Sequence, residues 1–249
     1  EVRLGELDAG EARLRRALEA LPNSAETIHY LGVVAFAKGD LPTALERLER
    51  AVTLDPKMAT YRAVLGRARL AAGDIVGARR DALAALELDP ALGEALWLKG
   101  RIALRTGAVR DAIDDLERAL KVSPGRHEAL SDLGEAFEQL GKAGYAIRAY
   151  QRALEAEPRE GRYAYRLGRL LLDDGKRREA AEMLERSIAL GEARPIAPLW
   201  LSDAYRLLGE ANRLTGRTSE AKKAYERFLE IAPAESIDRA EVTRRLRSL

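Results

Sequence analysis

The chain has 249 residues, of which 47% are apolar and 33% are charged, a composition that excludes a collagen-like or simply disordered protein. Its 42 basic and 40 acidic residues give a formal charge of only +2, so the chain is not adapted to nucleic-acid backbones. Cysteine is absent, which excludes disulfides and thiolate ligands and is compatible with both the cytoplasm, which we favour, and the periplasm. No apolar run is long enough to predict a membrane span.

The first 24 residues predict one helix that closes a repeat. Gly5, Leu14, Ala17 and Pro22 stand in the same register as residues of the segments that follow. We therefore interpret residues 1–24 as a partial repeat that lacks its first helix, and we expect the natural protein to continue upstream.

From there the chain repeats itself with a period of 34 residues. Two glycine series carry the period: the first is Gly32, Gly66, Gly100, Gly134 and Gly168, and the second is Gly5, Gly39, Gly73, Gly107, Gly141 and Gly175. Alanines recur early in each second half, and prolines recur at its end. Because glycine supplies the positive φ that ends a helix and proline stops the next one, each unit predicts a helix, a tight turn and a second helix.

One unit, residues 127–160, shows every signature position. These are Leu133-Gly134, Phe137, Ala146, Tyr150, Ala153 and Pro158. This pattern resembles the tetratricopeptide repeat (TPR) family, and the resemblance covers nearly the whole chain. It implies an all-α fold, a right-handed superhelical solenoid of antiparallel helix pairs over residues 1–249. The full repeats are then 25–58, 59–92, 93–126, 127–160, 161–194 and 202–235.

The period breaks once, at an insertion that we place at 195–201. Pro195 and Pro198 stand there, and proline favours the first turn of a helix. We therefore expect the first helix of the last repeat to begin near Ile196 and to be longer than its counterparts. Two interpretations of Trp200 stay open, namely packing on a neighbouring helix or a protruding partner site.

Residues 236–249 follow the last repeat and predict an amphipathic capping helix. Ile237, Val242 and Leu246 stand among arginines there, and these three apolar side chains could cover the apolar end of the last repeat.

The resemblance also indicates where a partner would bind, because in this family the first helix of each repeat lines a concave groove. Three positions in each first helix are implied to point into that groove: three residues before the first-series glycine, one after it and four after it. Aromatic residues and arginine at such positions are typical of binding hot spots. The candidate partner-binding residues, including Trp200 of the insertion, are Phe36, Arg67, Leu70, Trp97, Arg101, Leu104, Tyr165, Arg169 and Trp200.

Two of these candidates, Phe36 and Leu70, could instead fill the core between repeats. Trp97 is expected in the groove, because other large residues of its repeat already account for the apolar stripe.

The sequence contains no recognisable catalytic, cofactor or metal motif, and its two histidines, His29 and His127, lie three repeats apart. We therefore predict a non-enzymatic scaffold or adaptor, without cofactor or metal, that binds a partner protein or peptide in its groove. Two alternatives stay open: self-assembly into a homo-oligomer and, less favoured, single-stranded RNA binding. Arginine far outnumbers lysine, which hints at a bacterial source. Candidate partners are then components of envelope, motility or secretion machines, or a small GTPase.

Overall fold

In the computed structural model, the described residues 4–249 form fourteen α-helices and no strand, and side chains are described from residue 6 onward. The helices fall into two compact units, one ending at Pro124 and the other beginning at Gly125. The all-α prediction is therefore confirmed, whereas one solenoid across both units stays a prediction.

The N-terminal unit consists of one leading helix and three helix pairs, α2 with α3, α4 with α5, and α6 with α7. Consecutive pairs stack through the second helix of one and the first helix of the next. The helices are α1 (Leu4–Ala20), α2 (Ala25–Ala37), α3 (Leu41–Leu54), α4 (Ala59–Ala71), α5 (Ile75–Leu88), α6 (Gly93–Arg105) and α7 (Val109–Val122).

The C-terminal unit also contains three helix pairs, and a short last helix follows them. These helices are α8 (His127–Gln139), α9 (Ala143–Ala156), α10 (Gly161–Asp173), α11 (Arg177–Glu192), α12 (Leu201–Leu214), α13 (Thr218–Ile231) and α14 (Asp238–Arg247). Val242 of α14 is buried against Tyr225 and Phe228 of α13, so the last helix covers an apolar surface of the last pair. Ile237, which precedes α14, is instead almost fully exposed.

The turn inside each pair has the backbone that its glycine predicts. The glycines with positive φ among the described residues are Gly39, Gly73, Gly107, Gly141, Gly175 and Gly216. Two of these turns also cap the next helix, since the Asp40 carboxylate accepts from the Thr43 amide at 3.2 Å and the Asp74 carboxylate from the Gly77 amide at 2.8 Å. Gly5 differs, because it lies inside α1.

The first-series glycines let the two helices of a pair approach closely. A Cβ atom built on Gly168 would lie 2.8 Å from Cγ of Leu184, and one built on Gly134 would lie 2.8 Å from the ring of Tyr150. Both large side chains are buried. Glycine on the first helix and a large residue on the second therefore form one packing unit.

The insertion differs from its prediction in where the extra residues go. No helix begins near Ile196; α11 is extended to 16 residues, and α12 begins only at Leu201 and has 14 residues. Pro195 and Pro198 explain the difference, because proline donates no backbone hydrogen bond and disfavours the α conformation in the residue before it. The segment between α11 and α12 is consequently irregular.

Candidate functional site

Six of the predicted partner-binding residues lie on first helices of the N-terminal unit, and we call this set the first-helix face. It consists of Phe36 on α2, Arg67 and Leu70 on α4, and Trp97, Arg101 and Leu104 on α6. Positions three and four residues apart share one side of a helix, so the members on each helix lie together.

Burial divides the first-helix face into two classes. Leu70, Trp97 and Leu104 are buried, and only 4% of the Trp97 surface is exposed. Phe36, Arg67 and Arg101 are half-buried. Leu70, Trp97 and Leu104 therefore serve as packing, whereas Phe36 and the two arginines keep part of their surface exposed.

Aromatic rings and a neighbouring carboxylate position the two arginines. The guanidinium of Arg67 lies 5.1 Å from the centre of the Phe36 ring, and that of Arg101 lies 5.5 Å from the Trp97 ring. Such cation–π contacts are worth about 0.5–2 kcal/mol. Arg67 also pairs with Glu94 across repeats at 3.3 Å, while its Nε–H meets no acceptor among the described residues. Arg67 is thus held in place by the Phe36 ring and by Glu94, and its unpaired Nε–H is buried.

Beside this face, His29 of α2 is buried and its ring stacks on Tyr61 at 4.4 Å. Burial lowers the pKa of His29 to about 4 from its ordinary 6.5, and the nearby positive charge of Arg67 lowers the pKa further. His29 is therefore neutral at physiological pH, and protonating it would place a second cation near Arg67.

His29 predicts a stability that depends on pH. The unfolded chain binds this proton below about pH 6.5 and the folded chain only below about pH 4, so the free energy of unfolding falls as pH falls through that window. At pH 5 we expect the wild type to lose about 2 kcal/mol relative to pH 7 from this group. His29→Phe keeps an aromatic ring and should lack that loss. Urea denaturation at both pH values measures it, and equal losses in both proteins would contradict the assignment.

In the C-terminal unit, Tyr165 and Arg169 are occupied by internal partners. The Tyr165 hydroxyl donates to Asp203 at 2.8 Å, and Arg169 forms an ion pair with Glu138. Glu138 also accepts from Tyr150 at 2.7 Å. These contacts join neighbouring helices, so the two residues stabilise the stacking of repeats.

Trp200 is packed inward, as the first of its two interpretations predicted. Its ring stacks on Tyr165 at 5.7 Å and 17°, and it lies against Gly161 and Gly191, whose added Cβ atoms would approach the ring within 3.0 and 2.9 Å. Only glycine leaves room for the ring. The exposed apolar residues of the insertion are instead Ile196 and Leu199. Sequence reasoning missed these two, although the neighbouring prolines indicated a segment without helical packing.

Among residues 4–249, no group of three or more His, Cys, Asp and Glu side chains is arranged to hold a metal ion. In the same residues, no helix combines the length and the apolar character that crossing a membrane requires.

A family model described as tetratricopeptide repeat matches residues 1–59, 31–93, 63–116, 98–161, 139–195 and 165–236. A comparison with curated proteins found no match. Among solved structures, pilF of Pseudomonas aeruginosa is 17% identical, covers 95% of this chain and 99% of its own, and has a TM-score of 0.76.

Two further solved structures share the fold. YrrB, described as a TPR protein with an unusual peptide-binding site, is 18% identical over 83% of this chain and 100% of its own, with a TM-score of 0.63. The human IFIT1 dimer with PPP-AAAA is 18% identical over 98% of this chain and 59% of its own, with a TM-score of 0.70. At sequence identities this low, the similarity shows a shared fold and nothing more.

Proposed function

Since the chain belongs to the tetratricopeptide repeat family, whose members are generally non-enzymatic scaffolds, we propose that it binds a segment of a partner protein on the first-helix face of the N-terminal unit. The observation that carries this proposal is the pair Arg67 and Arg101. Both are half-buried, and each lies over an aromatic ring. Partly desolvated arginines beside aromatic residues are typical of binding hot spots.

The charge of the first-helix face indicates what the partner segment looks like. Its two ionisable members, Arg67 and Arg101, are both basic. Complementary charge raises association rates and selects partners. The segment should therefore contain acidic residues whose carboxylates can pair with the half-buried guanidinium groups of Arg67 and Arg101.

YrrB supports this proposal as an example of the same fold with a peptide-binding site. Candidate partners remain those of a bacterial scaffold, namely envelope, motility or secretion components or a small GTPase. The two alternative functions predict other binding partners: self-assembly predicts a second copy of this chain, and the other alternative predicts single-stranded RNA.

The test is a capture of partners from native extract with the double variant Arg67→Gln and Arg101→Gln. Glutamine keeps part of each side-chain stem and removes the charge, so we expect the fold to persist and partner affinity to fall at least about tenfold. The control is Arg80→Gln with Arg110→Gln, which removes the same charge from exposed positions on the second helices α5 and α7.

A protein held by the wild type and the control but lost from the double variant would support the proposal, and its affinity should weaken with salt. Equal retention by both variants would overturn it for these residues. Recovery of only the chain itself, or of nuclease-sensitive RNA, would replace it by one of the two alternatives.

A further inference from the structure

The N-terminal unit contains a cavity of about 260 Å³ between α5, α6 and α7, away from the first-helix face. We call it the α5 cavity. Its lining includes Ala82 and Leu83 from α5 and Ile102 from α6, and its rim includes Arg79 and Asp111. The lining also includes a partly buried ion pair, so apolar side chains and charges of both signs share the cavity.

The cavity lies where one repeat departs from the others. Position 82 is alanine, although the equivalent position of every other full repeat carries a large buried residue: Leu48, Leu116, Tyr150, Leu184 and Tyr225. A large residue at position 82 would pack over Gly66. Leu98 of α6 occupies that space instead, because its Cδ2 lies 2.8 Å from a Cβ built on Gly66. In this repeat a side chain of the next repeat therefore takes the place of the large second-helix residue, and Ala82 contributes no more than a methyl group to the cavity lining.

The next residue, Leu83, also differs in type from the equivalent residues of the other repeats. Leu83 is 44% exposed, whereas the equivalent residues elsewhere are all polar: Glu49, Glu117, Gln151, Glu185 and Glu226. Val76, seven residues earlier and thus on the same side of α5, is also strongly exposed. At position 83, beside the cavity, apolar surface has therefore replaced the polar surface of the other repeats.

Two of the four charged residues that line the cavity have no ion pair among the described residues. Lys99 pairs with Asp115 at 2.9 Å, but Arg79 and Asp111 form no ion pair with any residue that the structure describes. A bound segment could therefore place a carboxylate beside Arg79 and a cation beside Asp111. Complementary charges of this kind fix the register of a bound segment.

We propose that the α5 cavity is a second docking site, at which a partner protein inserts one large apolar side chain between Arg79 and Asp111. Its volume is below the roughly 300–1,000 Å³ of small-molecule pockets and suits one anchoring side chain, as at the centre of protein interfaces. Ile102 points to a different side of α6 from Arg101, because successive helical residues are about 100° apart. The α5 cavity and the first-helix face can therefore be occupied together.

The probe for this site is a random peptide display library selected on the purified full chain. The decisive variant is Leu83→Glu, which restores the residue type of the other repeats and so is compatible with the helix. Leu88→Glu is the matched control, because Leu88 is also on α5, is 43% exposed and does not line the cavity. Circular dichroism establishes that both variants fold.

We expect selected peptides that bind Leu83→Glu at least about tenfold more weakly than Leu88→Glu. They should lose binding when their large apolar residue becomes alanine, and they should bind Arg79→Gln more weakly. Their affinity for the Arg67→Gln, Arg101→Gln chain should be unchanged, which separates this site from the first-helix face. The proposal is overturned if no peptide is selected, or if every selected peptide binds Leu83→Glu and Leu88→Glu equally.

Discussion

Replacing Trp200 by alanine is expected to lower the free energy of unfolding of the C-terminal unit by about 3 kcal/mol. The ring stacks on Tyr165 and fills the space that Gly161 and Gly191 leave between α10 and α11. Alanine would leave a cavity between α10 and α11. The two helices cannot close it, because their other contacts fix their positions. Chemical denaturation followed by circular dichroism measures the loss.

The control for Trp200 is the residue beside it. Leu199 is 101% exposed, so Leu199→Ala removes no packing and should change the free energy of unfolding by less than about 0.5 kcal/mol. If Trp200→Ala unfolded at the same denaturant concentration as Leu199→Ala, the packed role of the tryptophan would be wrong, and a partner-binding role would be favoured.

Replacing Leu184 by alanine is expected to cost the same unit about 3 kcal/mol, because this fully buried side chain packs against Gly168. Gly168→Ala should also destabilise, by about 1 kcal/mol, since its new methyl group would meet Leu184 Cγ at 2.8 Å and this clash outweighs the better helix propensity of alanine. In the double variant the methyl group enters the space that the leucine vacated. The combined loss should be smaller than the sum by at least about 1 kcal/mol.

A double-mutant cycle tests this coupling. In a Trp97→Phe background Trp200 is the only tryptophan, and because it packs on the cluster that contains Leu184, its fluorescence reports on the correct unit. Gly144→Ala is the control, as no atom lies within 4 Å of its added Cβ and alanine should be tolerated there. Strictly additive losses at positions 168 and 184 would contradict the packing of glycine against leucine.

Local chemistry explains how much of the fold could be predicted. Gly39 and Gly73 have positive φ because only glycine adopts that backbone without strain, so the period of the glycines reports the period of the turns. The break in the period was visible in the sequence, but the helix boundary beside it was predicted wrongly. Pro195 and Pro198 are compatible either with a helix start or with an irregular segment, and packing of Trp200 between α10 and α11 selects the second.

The candidate site was predicted less completely, because periodicity identifies the side of a helix and not the depth of a side chain. Trp97 occupies the position that the resemblance implied, yet neighbouring helices bury it, and Arg101 lies over its ring. The α5 cavity was not predicted from the sequence, although alanine at 82 and leucine at 83 break the repeat pattern. Whether a small side chain leaves a cavity depends on whether neighbouring side chains fill the space, as Leu98 does over Gly66.

The amino-acid sequence alone determined the helices, the turns and the family of this protein, because each depends on backbone preferences and apolar spacing within about 34 residues. Only the tertiary structure decided which large side chains are exposed. Trp200 is packed and Leu199 is exposed, although the two are adjacent in the chain. The physical reason is that burial is set by contacts between helices that lie far apart in the sequence.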